Sequence, residues 1–124
     1  MWGKFMLNVG VNQTCHAYET TYSGVLTEGS EENRIFTGAM DEVIQLSQAV
    51  GINLSQEDAE YYKKIIATLK PDGVPSMRQD GIVKRKTEVE MFAGIVRKLA
   101  KKHGIATPVN DLLYEKIKKI EEAY

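Results

Sequence analysis

One cysteine, two histidines and three prolines are all that this chain of 124 residues holds of those types. Cys15 alone excludes an internal disulfide, and with His16 and His103 far apart no metal-ligand cluster is expected. A reducing cytoplasm is the expected compartment. No run approaches the roughly 20 apolar residues of a membrane span, and the N-terminus lacks a charged region followed by an apolar signal core, so no membrane partner is expected. No segment keeps up a two-residue alternation of apolar and polar side chains, which argues against strands. Nowhere does Gly-x-Gly-x-x-Gly follow a strand pattern, so these residues are not expected to cradle a dinucleotide pyrophosphate.

What is present is 43% hydrophobic content in a length suited to one compact domain spanning 1–124. The net charge of −1 hides an asymmetry: residues 1–62 carry two basic and nine acidic side chains, residues 63–124 fourteen and eight. The basic runs Lys84-Arg85-Lys86, Arg97-Lys98, Lys101-Lys102-His103 and Lys116-Ile117-Lys118-Lys119 could form a phosphate-binding patch. They are interleaved with Glu88, Glu90, Glu115 and Glu121 rather than with aromatic rings, so they read as wet helix faces and no nucleic-acid partner is expected.

The apolar spacing is helical nearly throughout and predicts an all-α domain of about six helices. The first spans about 3–20 and breaks at Thr20-Thr21-Tyr22-Ser23-Gly24. The second spans 31–50 with Ile35, Phe36, Ala39, Met40, Val43, Ile44 and Leu46 inward, and leaves part of that face uncovered unless it is paired. Ser55 caps a third that stops before Pro71. Lys70-Pro71-Asp72-Gly73-Val74-Pro75 is the clearest loop. Ser76–Asp80 opens a short helix that Gly81 weakens. Thr87 with Glu90 has capping-box spacing for a long helix that ends at His103-Gly104. The last helix begins at Thr107-Pro108. Met6, Met40, Met77 and Met91 read as core filling.

The most informative feature is a polar stripe in the apolar first helix. Lys4, Asn8 and Asn12 recur at i, i+4 and i+8, on one helix face. Asn and Gly are weak mid-helix residues, costing roughly 0.5–1 kcal/mol each against Ala. A helix that accepts several of them in three turns has kept its stripe for more than folding. His16, one step further on, is expected to face solvent or the helix end.

Four blocks in order carry a resemblance to a known family: Trp2-Gly3-Lys4 with Asn8 and Asn12; Pro75-Ser76-Met77-Arg78-Gln79-Asp80; Lys86-Thr87-Glu88; and Lys102-His103-Gly104-Ile105-Ala106-Thr107-Pro108-Val109-Asn110. Along nearly its whole length the chain resembles the C-terminal domain of ketopantoate reductases (2-dehydropantoate 2-reductases). The resemblance implies a helical domain that closes over a 2-oxo acid, while an N-terminal Rossmann domain, absent from this chain, holds most of the NADPH. It implies reduction of 2-dehydropantoate to pantoate, a step of pantothenate and coenzyme A biosynthesis. Lys4 matches the lysine that protonates the carbonyl oxygen, Asn8 and Asn12 residues that orient substrate, Ser76 the serine at its carboxylate, and Glu88 the glutamate between cofactor and substrate. A homodimer, no metal and no activity of this fragment alone are further implications.

The residues by themselves leave blander roles open. Ser76 and Thr87 read first as helix caps, Glu88 as a first-turn acid worth ~0.3–1 kcal/mol, and Lys4 as a snorkelling surface lysine. The chain also departs from the family pattern. Tyr22 stands where some reductases have a substrate-contacting Asn, and Gly73 and Pro75 stand where an Asn and a second Ser are common. The alternative reading is a stand-alone helical interaction module without catalysis.

Overall fold

The structure, a computed structural model, describes residues 2–124. Every regular element among them is helical. The chain opens with one continuous rod in three pieces: α1 (Trp2–Leu7), a π turn (Asn8–Asn12) and α2 (Gln13–Ala17). Leu7, Asn12 and Gln13 all keep right-handed helical backbone angles, so nothing breaks the rod at the joints. There follow α3 (Tyr22–Leu26), α4 (Glu31–Ala49), α5 (Gln56–Ala67), α6 (Ser76–Ile82), a 3₁₀ turn (Val89–Met91), α7 (Ala93–His103) and α8 (Pro108–Glu122). With the rod counted once there are seven α-helices in the described residues, close to the six expected. The addition is α3, whose Thr21 hydroxyl accepts from the Gly24 amide.

Local signals set most of the ends. Ser30 caps α4 by accepting from the Asn33 amide at 3.1 Å, with Glu31 and Glu32 answering the positive end of the helix dipole. The Asp58 carboxylate returns to the Ser55 amide at 2.9 Å, one half of a capping box. Gly104 ends α7 in the left-handed region, at φ 67°, where a Cβ would be strained.

The core is built where the rod crosses α4. A Cβ on Gly10 would lie 2.8 Å from Met40 Cγ and 3.1 Å from Phe36 Cδ1, so glycine lets the two helices approach closely. Met6, Val9, Phe36, Met40, Val43 and Leu46 are fully buried around that crossing. Truncating Phe36 to Ala there would cost ~3–5 kcal/mol. The apolar face of α4 is thus covered inside the fold, contrary to the expectation that it needs a partner. A smaller cluster of Met77, Val89, Ala93 and Ile117 lies beneath α6.

Two sequence expectations fail in one place. Thr87 caps no helix, because its amide and hydroxyl both donate to the Glu121 carboxylate, at 2.9 and 2.6 Å. The chain then makes a 3₁₀ turn and starts α7 only at Ala93. That tighter turn changes the angular phase: Val89 points inward and Met91 is 58% exposed instead of filling the core. The basic runs Arg97-Lys98 and Lys101-Lys102-His103 lie on the exposed face of α7, as expected, whereas Lys84-Arg85-Lys86 lies in the exposed connection after α6 rather than on a helix.

Candidate active site

The π turn sits within the polar stripe. In a plain α-helix eight residues drift about 80° around the axis, so Lys4 and Asn12 would lie on different flanks. A π turn absorbs one extra residue, which cuts that drift to about 20°. Lys4 and Asn12 are thereby brought nearly into line, with Asn8 between them. Lys4 is exposed, and Asn8 and Asn12 are half-buried. On the opposite face Gly3 admits Tyr62 of α5, whose hydroxyl lies 2.6 Å from where a Gly3 Cβ would stand.

Ser76 and Glu88 meet in a cleft of about 150 Å³ lined by Ser76, Met77, Asp80, Glu88 and Phe92. Ser76 is the first residue of α6 and Pro75 holds the cap position, so Ser76 is not the helix cap the sequence suggests. Glu88 likewise precedes the 3₁₀ turn rather than lying in the first turn of a long helix. The Phe92 ring lies 6.4 Å from Phe5, the neighbour of Lys4, and joins this cleft to the start of the rod. The Asn8–Asn12 turn also touches α6. Lys4, Asn8 and Asn12 do not themselves line the cleft.

The stripe and the cleft carry unused hydrogen-bonding groups. Among the described residues, the side chains of Lys4, Asn8, Asn12, Ser76 and Glu88 make no hydrogen bond or ion pair. Two buried side chains, Gln13 and Glu42, are by contrast fully engaged, whereas Thr14 and His16 of the rod find no partner among the described residues. Gln13, buried completely, donates to the Val9 carbonyl at 2.8 Å and accepts from the Ala93 amide at 2.9 Å, capping α7 from across the core. Glu42 does the same for α8, accepting from the Val109 and Asn110 amides at 2.8 and 2.9 Å and from Asn110 Nδ2 at 2.8 Å. Burial pushes the Glu42 carboxyl above its ordinary range, against the pull of those bonds. Sequence reasoning missed both residues, since each acts on a backbone at least 67 positions away.

His16 is 1% exposed rather than facing solvent. It lies under α6, and burial, reinforced by Arg78, holds its imidazole below the ordinary histidine range. Burial also pushes the Cys15 thiol up to about 12. The departures Tyr22 and Gly73 touch each other: the Tyr22 ring lies 3.3 Å from where a Gly73 Cβ would stand. The Tyr22 amide donates to the Gly73 carbonyl at 3.1 Å and the Ser23 amide to that of Pro71 at 3.0 Å. The loop leading to Ser76 is pinned to α3 by this pairing.

A larger groove, about 550 Å³, runs between α7 and α8 away from the stripe. Its charges are largely matched internally: Arg97 pairs with Asp111 at 3.1 Å, and Glu90 accepts from the Tyr114 hydroxyl at 2.7 Å. We therefore place the candidate site at the stripe and the Ser76 cleft. No described helix is long and apolar enough to cross a membrane.

The family model for the C-terminal domain of the ketopantoate reductases PanE/ApbA matches residues 1–121. The 2-dehydropantoate 2-reductase of Vibrio cholerae serotype O1 is 32% identical over 126 residues, covering all of this chain and 41% of that protein. The enzyme of the same name from Halobacterium salinarum is 32% identical over 109 residues, 88% of this chain and 35% of its own. Among solved structures, a dimeric ketopantoate reductase from Staphylococcus aureus shares the fold, with a TM-score of 0.88 at 21% identity over 98% of this chain and 42% of that one. D-mandelate dehydrogenase, solved with NADH and anilino(oxo)acetate, gives 0.86 at 25% identity over 98% and 51%. The chain spans about two fifths of the length of the reductases it matches. It belongs to the ketopantoate reductase family, whose all-helical C-terminal domain it matches from end to end.

Proposed function

We propose that this chain is the substrate-binding and catalytic C-terminal half of an NADPH-dependent 2-oxo acid reductase, with 2-dehydropantoate as substrate and pantoate as product. The carrying observation is that the π turn of the rod aligns Lys4, Asn8 and Asn12, and that these three, with Ser76 and Glu88, make no hydrogen bond or ion pair among the described residues. A reduced nicotinamide dinucleotide supplies a hydride when bound. The residues fit only its reacting end, because the cleft shared by Ser76 and Glu88 is well below the roughly 300–1,000 Å³ of whole-ligand pockets. Most of the cofactor must be held by another domain, so the chain alone is inactive.

Within that scheme Lys4 holds a proton on Nζ beside the substrate carbonyl oxygen. It stabilises the negative charge that gathers on that oxygen and then donates the proton. Asn8 and Asn12 orient the substrate through amide hydrogen bonds without adding charge. The Ser76 hydroxyl donates to the carboxylate, and Glu88 accepts a hydrogen bond where cofactor and substrate meet. We also read the domain as one that pairs into a homodimer in the cytoplasm, with no metal. The dimeric relative supports the pairing.

A module without catalysis is the second reading. It is favoured by an almost wholly apolar groove of about 240 Å³ between Trp2, Phe5, Ile95 and Leu99, a surface suited to docking. NADPH oxidation by the longest native product, with ketopantoate and other branched 2-oxo acids, separates the two. Lys4→Ala in that product should lower kcat ~10²–10⁴-fold and change stability by less than ~0.5 kcal/mol. Near-normal kcat in the variant would remove Lys4 from the role. An absence of turnover from a product lacking a dinucleotide-binding domain would favour the module.

A further inference from the structure

Gly81 and His16 fit one another in a way the site described so far does not use. A Cβ built on Gly81 would fall on the His16 ring, against Cε1 and Nδ1, with Arg78 Nη1 3.5 Å away. The ring is 1% exposed, and neither of its nitrogens finds a hydrogen-bond partner among the described residues. A buried imidazole is ordinarily anchored through at least one nitrogen. Here it is held by shape.

We propose that the His16 ring and the bare backbone of Gly81 form a matched pair that sets the position of α6, and so of the Ser76 hydroxyl, making His16 a positioning residue of the candidate site. The role of Ser76 rests on the function proposed above; the placement of α6 does not. This helix has seven residues and packs on the rod. Met77, 2% exposed, enters the small cluster at one end, and Gly81 lies on His16 at the other. Ser76 is five residues from Gly81, about 7.5 Å along the axis, so a shift at Gly81 is carried to Ser76 by a rigid turn and a half. The charged groups around the ring are Arg78 and Asp80 from α6, Glu121 from α8 and Glu19 from the end of the same rod. Burial first, and Arg78 second, oppose a positive charge on the ring and outweigh the three carboxylates, so the neutral ring is the form that packs.

The test is a double-mutant cycle on the whole chain, ¹⁵N-labelled, with His16→Ala, Gly81→Ala and the pair together. The readouts are the amide signals of Ser76–Ile82 and their response to added ketopantoate. Gly81→Ala should move the α6 signals and weaken ketopantoate binding at least about tenfold, because ring and methyl cannot share the space. Adding His16→Ala should return the signals and most of the affinity. Two unrelated structural lesions would instead add. Acidification below the ordinary histidine range should release the α6 signals in the parent and not in the double variant. If Gly81→Ala does not fold alone, recovery of folding in the double variant supports the pairing, and failure of both overturns it. Unmoved α6 signals in Gly81→Ala, or a double variant no better than Gly81→Ala, would also overturn it. A parent whose α6 signals follow the cycle but ignore ketopantoate upholds the positioning and refutes the substrate reading.

Discussion

Replacing Gln13 by Leu isolates the contribution of one buried amide. The new side chain has nearly the same volume, so no cavity opens and the change is chemical. The Ala93 amide loses its acceptor at 2.9 Å in a place with no access to water, since Gln13 and Ala93 are both fully buried. An orphaned buried N–H costs ~1–3 kcal/mol. The bond to the Val9 carbonyl at 2.8 Å is a second loss of ~0.5–1.5 kcal/mol. The contact to Asn110 Oδ1, at 3.4 Å, is too long to count for much. Burying two methyl groups in place of an amide returns ~1 kcal/mol, which leaves a net loss centred on about 2 kcal/mol. At roughly 4 °C per kcal/mol for a domain of this size, Tm should fall by about 8 °C. Urea unfolding followed by far-UV circular dichroism at pH 7 gives the free energy directly. A Gln13→Leu chain within 0.5 kcal/mol of the parent, a margin of roughly one ordinary surface substitution, would mean that α7 needs no cap from the rod.

Three further outcomes follow from buried groups. Glu42→Ala strips the acceptor from three donors at the start of α8 and should cost ~3 kcal/mol, read in the same urea experiment; an unchanged midpoint would contradict the capping role. Acid should act through His16 and Glu42 with opposite sign. His16, lowered in the fold, subtracts stability as pH falls below ~6.5, whereas Glu42, raised in the fold, adds stability as pH falls through its folded value toward ~4.5. His16→Ala should therefore flatten the loss on the upper part of that range, measured as urea midpoint against pH. Cys15, fully buried with its thiol pushed up to about 12, should resist iodoacetamide at pH 8 in the native chain and react once unfolded. Rapid native alkylation, scored by mass, would contradict the burial.

The fold was legible wherever one stretch of chain decides its own geometry. Ser55 with Asp58, and Gly104, begin or end helices by contacts within a few residues, and the apolar spacing of α4 is satisfied by the packing it predicts. What escaped was long-range or a matter of phase. Thr87 has the spacing of a cap, yet Glu121, 34 residues on, takes both its donors. Met91 has helical spacing, yet a 3₁₀ turn rotates it outward. His16 could be placed only by knowing that α6 folds over it. In the candidate site, the spacing of Lys4, Asn8 and Asn12 was visible directly, although nothing in Asn8-Val9-Gly10-Val11-Asn12 marks a π turn. Ser76 and Glu88 came from the family resemblance; the cleft they share is lined within residues 76–92, where the turn between α6 and the 3₁₀ turn folds back in a way no helical spacing marks.

The two caps donated across the core also bear on how the chain is made. Gln13 and Glu42 lie near the N-terminus, while the amides they receive, Ala93 and Val109, come 80 and 67 residues later. During synthesis both acceptors leave the ribosome well before either donor exists. Neither Gln13 nor Glu42 can find its native partner until the late helices have been made. Contacts of such wide separation slow folding. They also make the domain indivisible: a chain cut ahead of α7 would leave an amide and a carboxylate facing outward from what should be a sealed interior.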